Sequence, residues 1–247
     1  MKKFRLMLFV ILGFLTLPVN AQVFDVPYKD DAPSRTLLVP TQKPKAVVLL
    51  FIGGHGMLKL KEDGSTNNSH TFTRSKSLWA QYSIDAVLVD TPYSLGGGKN
   101  DMRPSNDHQQ RILNVVNYYK EKLKVPVWIF GHSRGTISVG EFVNGSEDHE
   151  KIIAGVIISG TIHTVSINSS VKSPVLAVHH KQDGCHVTPY TVSKKIIKDR
   201  PNSTIAKLVL VEGGITEGGA CGNRAYHGFN QKEPELIKAA SQFILEN

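Results

Sequence analysis

The sequence predicts an α/β fold: a mostly parallel sheet with helices on both faces. Short apolar, β-branched runs recur without polar alternation, as expected of strands buried on both sides. Segments with helical apolar spacing lie between them. Glycine clusters fall mostly after the apolar runs, where α/β sheets place their ligand loops. Hydrophobic residues make up 40% of the 247 and charged residues 20%. That is the balance of a globular chain, not a disordered or fibrous one, and the length suits one large domain.

The elements follow in order. Residues 1–21 read as a secretory leader. Lys2, Lys3 and Arg5 are basic, residues 6–17 are apolar, and Val19-Asn20-Ala21 offers a small-residue cleavage site after Ala21. The apolar run is shorter than the roughly 18–20 residues a membrane span needs, and no later stretch is long and apolar enough. Residues 36–39 read as an early strand and residues 46–52 (AVVLLFI) as a fully buried one. The next strand is expected over 84–89. Ser105, Asn106 or Asp107 can cap a helix whose apolar positions include Ile112, Val116, Tyr119 and Leu123. Further strands are expected over 125–130, 152–159, 175–179 and 205–211. Helices are expected over 136–143, 188–198 and 233–245. No repeat or low-complexity linker interrupts residues 22–247, so one domain is expected there.

Charge and cysteine usage narrow the function classes. The formal charge is +8, or about +5 once the three basic leader residues are removed. The basic residues are scattered (Lys43, Lys45, Lys59, Lys61, Lys194, Lys195, Lys198) rather than interleaved with aromatics in a stripe, which argues against nucleic-acid binding. Two cysteines, Cys185 and Cys221, in an exported chain suggest one disulfide. Their spacing matches no zinc pattern, so no metal is expected.

Gly131-His132-Ser133-Arg134-Gly135 matches G-x-S-x-G between an apolar strand and a helix. A nucleophilic hydroxyl must project from a tight strand-to-helix turn, and glycines two before and two after it remove side chains that would clash. The Arg134 backbone N–H can donate to an oxyanion. In this architecture the acid and then the histidine follow the serine. Ten histidines are present, so most must be bystanders. His132, His179 and His180 read as structural. His227, between the last strand and the last helix, is the expected base, with His186 the runner-up. Asp183, after the 175–179 strand, is the expected acid, with Asp199 and Glu212 as alternatives; a turn role before Gly184 is compatible with it. A Cys185–Cys221 bridge would then tie the acid loop to the base loop, worth about 3–4 kcal/mol in the chain-entropy model. The second oxyanion donor is expected from the Gly53-Gly54-His55-Gly56 loop, with Gly54, His55 and Met57 unresolved and the His55 N–H favoured.

With these motifs in order, the chain resembles the α/β-hydrolase superfamily over residues 35–246. It looks closer to small dienelactone-hydrolase or esterase-like members than to lipases. It departs from typical dienelactone hydrolases in having Ser, not Cys, at the nucleophile, and its Gly-Gly-His-Gly reorders the HGGG motif of esterases. The resemblance implies an eight-stranded sheet and acyl-enzyme chemistry without a cofactor. Only about 14 residues separate Ser159 from Pro174, so no large cap is expected, and residues 57–71 are expected to rim the site instead. The expected activity is ester hydrolysis on a small or surface-presented acyl substrate by an exported, periplasmic or secreted enzyme. Two rivals stand beside it: an amidase or peptidase using the same triad, and an inactive hydrolase fold that binds an envelope component.

Overall fold

The computed structural model describes residues 20–145 and 147–247. Nearly all of the expected leader lies outside the described residues. In chain order the elements are β1 (Gln22–Tyr28), β2 (Asp31–Val39), β3 (Ala46–Phe51), α1 (Thr71–Ser75), β4 (Ile84–Val89), α2 (Asn106–Leu123), β5 (Val127–His132), α3 (Gly135–Gly145), α4 (Glu147–Lys151), β6 (Gly155–Ser159), β7 (Val175–His180), α5 (Tyr190–Lys198), β8 (Ala206–Val211) and α6 (Glu233–Glu246). The eight strands form one sheet in the order β1-β2-β4-β3-β5-β6-β7-β8. β1, β2 and β4 pair antiparallel, and every pairing from β4 through β8 is parallel.

The apolar runs become strands covered on both sides because successive side chains point to opposite faces. Val47, Leu49 and Phe51 of β3, with Val127 and Ile129 of β5, enter the core beneath α2, α3 and α5. Val48, Leu50, Trp128 and Phe130 enter the opposite core, which Trp79 and α6 close. Ser105 caps α2 by accepting the His108 N–H at 3.2 Å, one of the orphan donors of a helix start.

The expected elements appear with ends shifted by a few residues and with the short helices α1 and α4 added, and two further differences have physical causes. The early strand begins at Asp31 rather than residue 36 and pairs with β1, which the sequence reading did not include. Charged residues hide this edge hairpin from a hydrophobic pattern, yet Asp25 lies opposite Arg35 and the two pair at 2.7 Å. The strand expected at 125–130 instead runs to His132, because its ladder with β6 continues to the His132–Ser159 pair. It therefore delivers Ser133 directly at the strand end. Between Ser159 and Val175 the chain forms only turns and extended segments, so no large cap covers the carboxyl ends of the strands.

Candidate active site

Ser133 sits between β5 and α3 with φ of 54°, a left-handed conformation that costs a non-glycine residue about 1–2 kcal/mol. Neighbouring chain holds it there: its N–H donates to Ser159 O at 2.9 Å, and its carbonyl accepts from Thr136 N and Thr136 Oγ1. The flanking glycines permit the turn. A Cβ on Gly131 would stand 2.3 Å from Gly135 O, and one on Gly135 would stand 2.0 Å from Phe51 O. The elbow is thus wedged between two strand ends.

Asp183 and His227 come from segments 44 residues apart and meet at 3.0 Å, Asp183 Oδ2 to His227 Nδ1. Both are buried. An ionised carboxylate only accepts, so Nδ1 carries the proton and Nε2 keeps its lone pair. The Cys185 N–H donates to the other carboxylate oxygen at 2.9 Å, and the Thr188 hydroxyl donates to Oδ2 at 3.1 Å. Burial alone would raise the Asp183 pKa, but the hydrogen bond and charge of His227, with the Cys185 N–H, outweigh it and hold the carboxyl below its ordinary value. The His227 ring lies against the elbow. It is 4.9 Å from the His132 ring, and a Cβ on Gly160 would be 2.9 Å from its Cε1. Gly160 directly follows Ser159, which holds the Ser133 N–H. Among the described residues Ser133 Oγ makes no hydrogen bond to His227; such contacts commonly tighten only around substrate.

The alternatives lie elsewhere. Asp199 pairs with Lys195, and Glu212 with Lys181 at 2.5 Å. His186 is at the disulfide, 4.0 Å from Cys221 Sγ. Cys185 and Cys221 are bonded to each other, and no free cysteine is present among the described residues.

The expected oxyanion groups face the elbow as a loop gripped from behind. A Cβ on Gly53 would stand 2.7 Å from Ser133 Cβ and 3.1 Å from its Oγ. Gly53 O accepts from Gly56 N, and the Gly53 N–H points at His70 Nε2 at 3.3 Å. Buried Arg103, paired with Asp101, donates to Gly54 O at 3.0 Å. This fixes and polarises the peptide whose N–H belongs to His55. The N–H groups of Gly54, His55 and Arg134 donate to no acceptor among the described residues, which leaves them available to a substrate oxygen. The Arg134 side chain is committed differently: it lies over Gly97 and donates to Gly96 O at 2.9 Å, holding the 96–100 loop.

Sequence reasoning missed Arg103, His70, Thr188 and Ser159, since none belongs to a motif. His70 also caps α1 through Nδ1, 3.1 Å from Phe72 N. Complete burial lowers its pKa to about 3 and also keeps His132 neutral. A neutral imidazole has a single lone pair, so the closer Phe72 contact is the stronger claim on it. Among the described residues no cluster of acidic, histidine or cysteine side chains has metal-binding geometry, and no helix is long and apolar enough to cross a membrane.

No protein-family model matches the chain, and no curated protein matches it in sequence. Solved structures match its shape. An α/β serine hydrolase without a lid from Xanthomonas campestris is 13% identical, with a TM-score of 0.62 over 93% of this chain and 96% of that one. A dienelactone hydrolase from Anabaena variabilis is 13% identical, with a TM-score of 0.64 over 92% and 97%. A cold-adapted esterase from an Arctic intertidal metagenomic library is 14% identical, with a TM-score of 0.58 over 90% and 92%. The fold is therefore the α/β-hydrolase fold, in a form without a large cap.

Proposed function

We propose that the protein is a serine hydrolase that cleaves carboxylic esters through an acyl-enzyme. Ser133 attacks the carbonyl, His227 Nε2 takes its proton, and Asp183 holds the imidazole tautomer and stabilises the imidazolium. The Arg134 N–H, with Gly54 or His55, holds the oxyanion. Water, activated by the same histidine, then releases the acid. The observation that carries this reading is a buried Asp183–His227 pair packed beside a left-handed serine at the strand ends. The lidless hydrolase, the dienelactone hydrolase and the esterase of similar shape support it as analogues. Absence of a cap favours small or surface-presented acyl groups.

The same reading makes residues 22–247 one exported domain, released by cleavage after Ala21 into the periplasm or medium of a bacterium. A basic, apolar, small-residue leader pattern and a disulfide support that location.

A fluorophosphonate probe tests the nucleophile. The mature protein should be labelled and should hydrolyse p-nitrophenyl esters faster than the matching p-nitroanilides. Ser133→Ala should lose both labelling and turnover while keeping its fold. Equal labelling of Ser133→Ala would sink the assignment. Faster anilide cleavage would make the enzyme an amidase, and an unreactive wild type would favour a binding protein.

A further inference from the structure

The cleft that opens from the oxyanion loop carries a feature that hydrolysis itself does not use. It has a volume of about 390 Å³ and begins at Gly53, against Ser133. His55, Met57, Lys59, Ser94 and Asn223 form its walls. Among the described residues no carboxylate lines it. Lys59 is held there at φ of 52°, in the left-handed region where a non-glycine side chain is strained.

The strain is imposed by the residues on either side. Buried Asp90 accepts the Leu58 N–H at 2.6 Å and the Leu60 N–H at 2.8 Å, one on each carboxylate oxygen. Leu58 and Leu60 are both buried in the core. On the other edge, Asn68 Nδ2 donates to Met57 O at 3.0 Å and the Thr66 hydroxyl donates to Leu58 O. The backbone is thus clamped before, at and after Lys59, and only its side chain is released, exposed towards the cleft. Its ammonium has no acidic partner among the described residues, as is usual for a surface lysine; what sets it apart is its place in the cleft beside the oxyanion loop. Asp90, behind this segment, is spent on backbone amides.

A second cleft, of about 470 Å³, flanks the elbow on its other side. It combines an apolar floor of Ile137, Ile162 and Val187 with both acids, Asp101 and Glu141, and bases, Lys99 and Arg134. The two clefts therefore differ in their acids: the second mixes Asp101 and Glu141 with Lys99 and Arg134, whereas the charged side chain lining the first is Lys59.

We propose that Lys59 is the recognition group for a negatively charged substituent on the ester substrate, seated in the cleft beyond the oxyanion loop. The preferred substrate is then a carboxylate-bearing ester rather than a neutral one. This rests on the Ser133 esterase reading and names the substrate class for it.

Matched esters test the proposal on the full-length mature protein. One pair puts the charge on the acyl side: p-nitrophenyl hemiglutarate against p-nitrophenyl pentanoate. The other puts it on the leaving side: the acetate esters of 4-hydroxybenzoate and 4-hydroxybenzamide. In at least one pair, wild type should prefer the anionic member in kcat/KM, and the preference should shrink with added salt. Lys59→Met should lower that preference by about fivefold, the size an exposed ion pair supports; Lys59→Glu should invert it and Lys59→Arg should retain most of it. No anionic preference in either pair, with both esters turned over through Ser133, would overturn the inference and leave the esterase reading intact. Should no ester be turned over, the esterase reading fails instead. The cleft is then judged by calorimetric binding of the monoanilide of glutaric acid against pentananilide. Tighter binding of the anion that weakens in Lys59→Met supports Lys59 recognition, and equal binding refutes it.

Discussion

The serine side of the site and the acid–base side are rigid for different reasons. On the serine side, consecutive residues are wedged by backbone. Gly131 and Gly135 touch carbonyls from the elbow and from β3, and Ser133 is held in a left-handed conformation by its own amide and carbonyl. On the acid–base side, side chains from distant loops are assembled. Asp183 gathers His227, Thr188 and the Cys185 amide, and the Cys185–Cys221 bridge ties the two loops covalently. The first region tolerates no added atom. The second tolerates no lost link. A parallel sheet explains the division, because β5 is central and flanked on both sides, whereas the loops after β7 and β8 lie at the sheet's open end.

The largest expected effect falls on the linked side. Asp183→Asn leaves the packing in place, but with its amide oxygen kept by the Cys185 N–H it loses the charge and presents an NH2 donor where His227 Nδ1 needs an acceptor. Its kcat on p-nitrophenyl esters should drop by about 10⁴-fold, as loss of a triad acid does elsewhere. A drop of less than tenfold would show that Asp183 is not the acid on which His227 depends.

Breaking the bridge comes next. The sequence separation is 36, so Cys185→Ser/Cys221→Ser should lose about 3–4 kcal/mol of stability in the chain-entropy model. Among the described residues no hydrogen bond joins the elbow to the bridge, so urea unfolding should report the loss while the elbow's geometry persists. Unchanged stability of the double variant would mean the noncovalent contacts of Asp183 already hold the loops.

The wedge is tested by Gly135→Ala. Its Cβ meets the Phe51 carbonyl, backbone that cannot move aside, so a loss of about 1–3 kcal/mol is expected, roughly 2–4 °C per kcal/mol in a chain of this size. An unaltered melting temperature would show the turn to be looser than its contacts indicate.

The effect that is smallest at neutral pH concerns acid. The folded pKa of His70 is lowered to about 3 from 6.5 by burial, so the unfolded chain binds its proton first. Its contribution is whole above pH 6.5 and is lost as pH falls through the window from 6.5 towards 3. The slope is at most about 1.4 kcal/mol per pH unit for one group. His70→Gln should flatten the stability–pH curve in that window; an identical slope would remove His70 from the acid response.

How much was legible in the sequence follows from the same division. Ser133 was readable because a tight turn demands glycines at fixed offsets, and the order serine, Asp183, His227 follows from the chain's path through the sheet. The β1–β2 hairpin was hidden because Asp25 and Arg35 stabilise it by pairing across strands rather than by an apolar pattern. Arg103, His70 and Thr188 were hidden because each acts through a contact with residues far away in sequence.

By itself the sequence determined the parallel strands, the elbow and the identity of the paired cysteines, all of which depend on local spacing or on residue count. Tertiary structure alone decided which of the expected oxyanion N–H groups lie unpaired, that the Arg134 side chain holds the 96–100 loop, and that Asp90 grips the backbone on both sides of Lys59. Those outcomes depend on where a side chain finds its partner, and burial and distance, not spacing along the chain, select it.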